Sequence, residues 1–332
     1  MLGIMMLAIA LVVSSCGSGS GGSKDGGASA SVAPQSVKPS PEPTKSAFPR
    51  DITSAGKTLT IQKQPLKVGV ASWTFMEMMF LFDVPSVGLT VPFAAAKSSL
   101  ESEVYKPYAD KFKELKVVGE SAQVNLESML AYAPDVIVAG SKTNAAIKDQ
   151  LEKIAPTVWV DEEKINVRQD WQQVVSLIGN VLGQEKRAQD AIDQFAAKQN
   201  EGKAKLAAHN GESVMFVQVR EKAVYVMSTD SLPQYYKGLG LTPPADKGMA
   251  ATAMITLEGL SAINPDHLVL GYFNWTDKSL PALTDDWQKS EVWKSLKAVK
   301  NNHVYGINGE LALGIGPIGQ TYGIDAVVNA MK

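Results

Sequence analysis

Four arginines, three histidines and a glutamate that recurs in matching surroundings are the residues of this chain whose chemistry can be specific. Arg168 follows the apolar run Thr157–Val160 and Arg220 closes the run Val214–Val219, so each can stand at a strand end. A guanidinium placed there holds oxygen atoms through a fixed fork of donors. A bare divalent metal would need three or four converging His, Asp or Glu ligands. His209 ends a helix-like run, His267 opens a buried strand and His303 sits in a surface-like turn, so no shared site and no direct metal ligation are expected. No G-x-S-x-G elbow or H-E-x-x-H occurs, and no Ser or Cys stands beside a placed His, so a hydrolase on this body would lack its usual nucleophile and base.

The recurring glutamate is Glu127, in Asn125-Leu126-Glu127, and again Glu258, in Thr256-Leu257-Glu258. The match continues without a gap through Ala131/Ala262, Pro134/Pro265, Asp135/Asp266 and Gly140/Gly271. The spacing is too long for a solenoid repeat and is about one domain, which predicts two lobes of related build with a cleft between them. Each copy reads as an N-capped short helix ended before its proline, then a continuous apolar strand of the kind covered on both faces in a parallel sheet. A carboxylate in the first turn of such a helix is favoured by the macrodipole, which is the plain reading of both glutamates.

At the start of the chain, residues 1–15 carry an apolar core too short to span a bilayer and read as a signal peptide. Val13-Ser14-Ser15-Cys16 resembles the lipobox of bacterial lipoproteins, although no Lys or Arg precedes the apolar run. Cys16 is the sole cysteine, which excludes an intramolecular disulfide and fits lipid attachment. Residues 16–50 follow as a tether rich in Gly, Ser and Pro, with a reach of about 35 Å. The expected location is the outer face of a cell membrane, lipid-anchored. A formal charge of −2 with 20% charged residues leaves no polybasic face for nucleic acid.

Strand-like runs at Leu66–Ala71, Lys116–Val118, Val136–Ala139 and Thr157–Val160, with helix-like segments between, predict an α/β lobe over 51–183. Residues 184–210, free of proline, predict one long connecting helix, and 211–332 predict a second α/β lobe. The fold class expected is two Rossmann-like lobes with mostly parallel sheets joined by that helix.

Together with these features, the ordered pieces Val117-Val118-Gly119, Ile154-Ala155-Pro156-Thr157, Gly179–Gly183, Leu239-Gly240-Leu241 and Trp293–Asn301 before Val304-Tyr305 resemble the substrate-binding lipoproteins of ABC importers. The resemblance is to the helical-backbone class that carries ferric siderophores, haem or cobalamin. It implies a monomer that performs no chemistry, has no intrinsic cofactor, and delivers its ligand to an ABC permease dimer with its ATPase. It also implies that Glu127 and Glu258, one per lobe, pair with permease arginines.

Ligands of open α/β sheets bind at the carboxyl ends of the strands. The loops that qualify offer Trp73 and Thr74, Lys142 and Asn144, and Tyr272, Phe273, Asn274 and Trp275, to which Arg168 and Arg220 add charge. Aromatics with few arginines favour a weakly charged ferric hydroxamate over citrate or tris-catecholate complexes, and Gly316-Pro317-Ile318-Gly319-Gln320 resembles some hydroxamate binders. Haem would take an axial ligand from Tyr225, Tyr272 or Met227. Cobalamin, or a sensory lipoprotein without transport, are the remaining alternatives.

Overall fold

The computed structural model describes residues 48–95, 99–245 and 247–332. Residues 1–47, with Cys16, the signal-peptide reading and nearly all of the expected tether, lie outside them. No helix among the described residues is long and apolar enough to cross a membrane.

A hairpin of β1 (Arg50–Ser54) and β2 (Lys57–Ile61) comes first. Then β3 (Lys67–Val70), β4 (Ser86–Thr90), β5 (Glu114–Glu120), β6 (Gln123–Val124), β7 (Val136–Gly140) and β8 (Thr157–Val160) build a six-stranded sheet. Its order is β6-β5-β4-β3-β7-β8, parallel throughout except for the edge strand β6. Every residue of β4 and β7 is buried, as expected of strands covered on both faces. The second lobe holds β9 (Val214–Val219), β10 (Val224–Val226), β11 (Ala253–Ile255), β12 (His267–Tyr272) and β13 (Val304–Asn308), ordered β11-β10-β9-β12-β13. Here β9, β12 and β13 are parallel, while β10 runs antiparallel to both its neighbours, β9 and β11.

The connecting helix runs from Glu185 to Lys205, about 31 Å, and a separate 3-10 turn carries the chain through Ala207–His209. Its first half packs on helix Trp171–Leu182, where the Phe195 and Trp171 rings meet edge to face at 5.0 Å. Its second half lies on the last helix, Pro317–Met331: a Cβ on Gly202 would come within 2.7 Å of Leu239 and 3.2 Å of Val328. One helix thus serves both lobes.

The internal repeat is real in three dimensions. Helices Leu126–Tyr132 and Leu257–Ile263 are equal in length, capped by Asn125 accepting from Ser128 N at 2.9 Å and by Thr256 accepting from Gly259 N at 3.2 Å. Both end on a left-handed residue before the proline, Ala133 (φ 51°) and Asn264 (φ 47°). The following aspartates then tie strand to strand. Asp135 Oδ2 accepts from Leu66 N and Lys67 N at 2.9 and 3.0 Å, and Asp266 Oδ2 accepts from Ser213 N at 2.8 Å. The repeated glycines close each strand where side chains would collide: a Cβ on Gly140 would meet the Glu162 carboxylate at 2.4 Å, and one on Gly271 would meet Leu313 at 2.5 Å.

Candidate functional site

Between the lobes lies a cavity of about 330 Å³, at the lower end of the range of ligand clefts. Trp73, Thr74 and Glu77 come from the segment after β3, and Pro92 and Phe93 from the segment after β4. Across from them stand Gln218 and Arg220 of β9 and the loop beyond it, Phe273 after β12, and Glu310 after β13. Each lobe therefore contributes the ends of its parallel strands, as open sheets arrange.

Arg220 is exposed and preset. Its guanidinium lies over the Phe273 ring at 4.2 Å from the centroid. With the Gln218 amide turned carbonyl-first, that oxygen accepts from Arg220 Nε at 3.0 Å and Nη2 at 2.7 Å. Arg168 reaches from the first lobe, its Nη1 donating among the carbonyls of Ser231, Leu313 and Gly314 at 3.3, 3.3 and 3.4 Å. Burial lowers its pKa, yet a guanidinium stays charged at neutral pH.

The carboxyls balance these cations. Glu77, from the short helix Met76–Met79, is buried, accepting from Tyr105 Oη at 2.5 Å and from Gly319 N at 2.7 Å. It thereby satisfies an open amide at the start of the last helix, where the macrodipole also favours an acid. Burial pushes the Glu77 carboxyl up from its ordinary value, against the lowering effect of those hydrogen bonds. Burial likewise raises Glu310, opposed by the charge of Arg220. Trp171 Nε1 adds a further bond across the lobes, donating to Gln320 Oε1 at 3.2 Å.

Of the residues expected in the cleft, Trp73, Thr74, Arg168, Arg220 and Phe273 meet at this cavity. Lys142 lies in an adjoining shallow groove that shares Thr74 and Arg168, and its ammonium pairs with Glu163 at 3.1 Å. Asn144 is turned inward: it is buried, donating to Ala71 O at 3.1 Å and accepting from Gly140 N at 2.9 Å. Tyr272 packs with Trp275 on the outer strand, both within 4 Å of where a Gly306 Cβ would stand, and Lys278 lies over both rings at 4.7 and 4.4 Å. Successive residues face opposite ways along a strand, which is why Phe273 reaches the cavity and Tyr272 does not. Asn274 donates to Leu280 O at 2.6 Å within its own loop.

Sequence reasoning missed Glu77, Tyr105, Phe93, Gln218 and Glu310. Two carried a usable signal, since Glu77 is the lone charge in Phe75-Met76-Glu77-Met78-Met79-Phe80 and Gln218 the lone polar residue of Val214–Val219. The expectation that the histidines stand apart is corrected. His267 lies 4.7 Å from His209 and 4.2 Å from His303, ring centre to ring centre, because β12 sits between β9 and β13. That lateral order is not written in sequence separation.

Two α/β lobes sharing one backbone helix and facing each other across a walled cleft define a solute-binding fold. The family model of the periplasmic binding proteins matches residues 82–311, and the chain belongs to that family. It is 26% identical over 307 residues to the iron-uptake system-binding protein of Bacillus subtilis (strain 168), which covers 91% of this chain and 88% of that protein. It is 24% identical over 263 residues to the Fe(3+) dicitrate-binding periplasmic protein FecB of Escherichia coli (strain K12), covering 79% and 83%. The solved structure of the triscatecholate siderophore-binding protein FeuA from Bacillus subtilis, complexed with ferri-bacillibactin, superposes with a TM-score of 0.66 at 25% identity, covering 85% of this chain and 98% of that one.

Proposed function

We propose that the protein captures a ferric siderophore between its lobes and delivers it to an ABC permease for iron uptake. The observation that carries this reading is the cleft itself, with the aromatics Trp73, Phe93 and Phe273 and with two arginines from the loops that follow β8 and β9, in a chain whose relatives are named for iron uptake. The favoured ligand is a weakly charged chelate of hydroxamate type. Arg168 and Arg220 are set against Glu77 and Glu310, so the wall carries no strong excess of positive charge for a tris-catecholate. Haem is the weaker reading, because of its three candidate axial ligands Met227 lines the cavity, while Tyr225 and Tyr272 are not among its lining residues.

Titration of the purified chain with ferric hydroxamate, catecholate and citrate complexes, haem and cobalamin, followed by tryptophan quenching, tests the ligand. Submicromolar saturation by hydroxamate alone supports the reading. Saturation by a catecholate alone overturns the choice of chelate, and silence from every ferric complex overturns the function.

Delivery rests on Glu127 and Glu258. Both are exposed and have no hydrogen-bond or ion-pair partner among the described residues. A bare apolar residue stands close in sequence to each, Leu130 on the helix of Glu127 at 61% and Met254 on β11 ahead of the helix of Glu258 at 69% exposure. One matching exposed charge on each lobe suits a two-subunit permease presenting arginines. Replacing both glutamates by Ala is expected to abolish uptake in cells and leave chelate affinity intact; lost affinity would refute docking as their role. The partner ATPase and a lipid on Cys16, holding the body outside the cytoplasm, complete the proposal.

A further inference from the structure

We propose that His209, Glu212 and His267 form a binding site for one divalent transition-metal ion of the zinc class, on the side of the second lobe away from the cleft. Glu212 Oε2 lies 2.7 Å from His209 Nδ1 and 2.7 Å from His267 Nε2, and the three ligand atoms are all within 4.8 Å of one another. Two imidazoles and a carboxylate are a donor set that zinc takes readily, with a fourth position left to water.

The hydrogen bonding around the trio points to a cation. His209 Nε2 lies 2.8 Å from the carbonyl of Met331, which can only accept, so Nε2 carries the hydrogen. The Nδ1 of the neutral ring then presents a lone pair to the Glu212 carboxylate at 2.7 Å. Two acceptors at that distance need a positive species between them, either a second ring proton or a metal ion. A backbone carbonyl on the far nitrogen is also the outer partner that orients metal-bound imidazoles. His267 also has an outer partner, Tyr305 Oη at 3.1 Å from its Nδ1, a hydroxyl that can donate or accept and so leaves Nε2 free to face the ion, and the His303 ring is stacked on its face at 4.2 Å.

Ligand atoms around a tetrahedral zinc at about 2.0–2.1 Å stand about 3.3 Å apart. The two Glu212–His distances of 2.7 Å must therefore lengthen by about 0.6 Å, and the two imidazole nitrogens, within 4.8 Å of each other, must settle at the same spacing; a Glu212 side chain that is 43% exposed has room to shift. The ion would staple the turn after the long helix to the start of β12 and, through His209, to the end of the last helix. Since β12 is six residues long, this end lies about 17 Å from the cleft end. The site is therefore separate from any iron carried in the cleft.

The test uses the full chain without a polyhistidine tag, stripped with chelator and dialysed against Zn²⁺ or Co²⁺. One ion per chain, with the visible absorption of four-coordinate Co²⁺, is expected. His209→Gln and Glu212→Gln replace partly exposed side chains, and each should weaken binding by more than about 100-fold, since loss of an outer partner alone costs about 10–100-fold. Cleft titrations should not change. Absence of stoichiometric binding, or binding that survives both substitutions, overturns the site and leaves a protonated His209 against Glu212. A readout on the unmodified chain stands beside these: Zn²⁺ should protect His209 from diethyl pyrocarbonate, and equal modification with and without the ion refutes the proposal.

Discussion

Removal of the Glu77 carboxyl should loosen the joint between the lobes by a calculable amount. In Glu77→Ala both Tyr105 Oη and Gly319 N lose their acceptor inside the protein. Each buried orphan costs about 1–3 kcal/mol, so the loss is about 2–6 kcal/mol. At roughly 2–4 °C per kcal/mol for a chain of this size class, the melting temperature falls by at least about 4 °C. Glu77→Gln keeps a carbonyl for Gly319 N, and Tyr105 can turn its hydroxyl to accept, so the cost is below about 2 kcal/mol. The pH dependence separates the two effects. Burial raises the folded-state pKa of Glu77 above its ordinary value, so the native state holds the proton longer than the unfolded chain does. The stability this adds is full below the unfolded pKa and is lost as pH rises through the folded one. Relative to Glu77→Gln, which does not titrate there, the wild-type chain should thus lose melting temperature as pH rises above the ordinary carboxylate value and through the raised folded-state one. Thermal melts by circular dichroism across that range measure it. Equal stability of Glu77→Ala and wild type, or a wild-type advantage over Glu77→Gln that grows with pH, would refute the reasoning.

Arg220→Ala should weaken the preferred chelate by roughly 10- to 150-fold, the worth of one charge-assisted contact of about 1.5–3 kcal/mol, with little change in melting temperature because the side chain is exposed. A change below threefold in the quenching titration would remove Arg220 from the ligand contacts. Asn144→Ala should do the reverse, costing about 2–6 kcal/mol of stability by orphaning Ala71 O and Gly140 N while the folded protein keeps its affinity. Chelate binding should leave the radius of gyration in small-angle scattering unchanged within error, since one continuous helix and the bonds of Glu77, Trp171 and Arg168 already join the lobes; a clear contraction would show a hinge instead.

Much of the frame was legible because buried parallel strands are continuous apolar runs. Lys67–Val70, Val136–Gly140 and Thr157–Val160 stood out for that reason, and the repeated Asn/Thr caps and Pro-Asp pairs marked the helices between. Strand β4 did not, because Ser86 and Gly88 break its apolar run and glycine is depleted in strands; the glycine is set by contact, since a Cβ on Gly88 would meet the Tyr132 ring at 2.8 Å. In the cleft, the strand-end rule found Arg168, Arg220 and Phe273. It also drew in Asn144, Tyr272 and Trp275, since the rule locates a loop but not the direction of each side chain. Glu77 escaped because its partners, Tyr105 and Gly319, are joined to it only by tertiary folding.

The shared helix and the bonds across the lobes have a consequence for signalling. If the radius of gyration stays constant on filling, the protein cannot announce its contents by outline. If a membrane partner reads only the two matched glutamates, empty and filled copies occupy it equally well, and the empty ones act as competitive inhibitors. Iron flux would then follow the filled fraction rather than the number of copies on the membrane, and overproducing the protein in scarcity would slow uptake instead of speeding it.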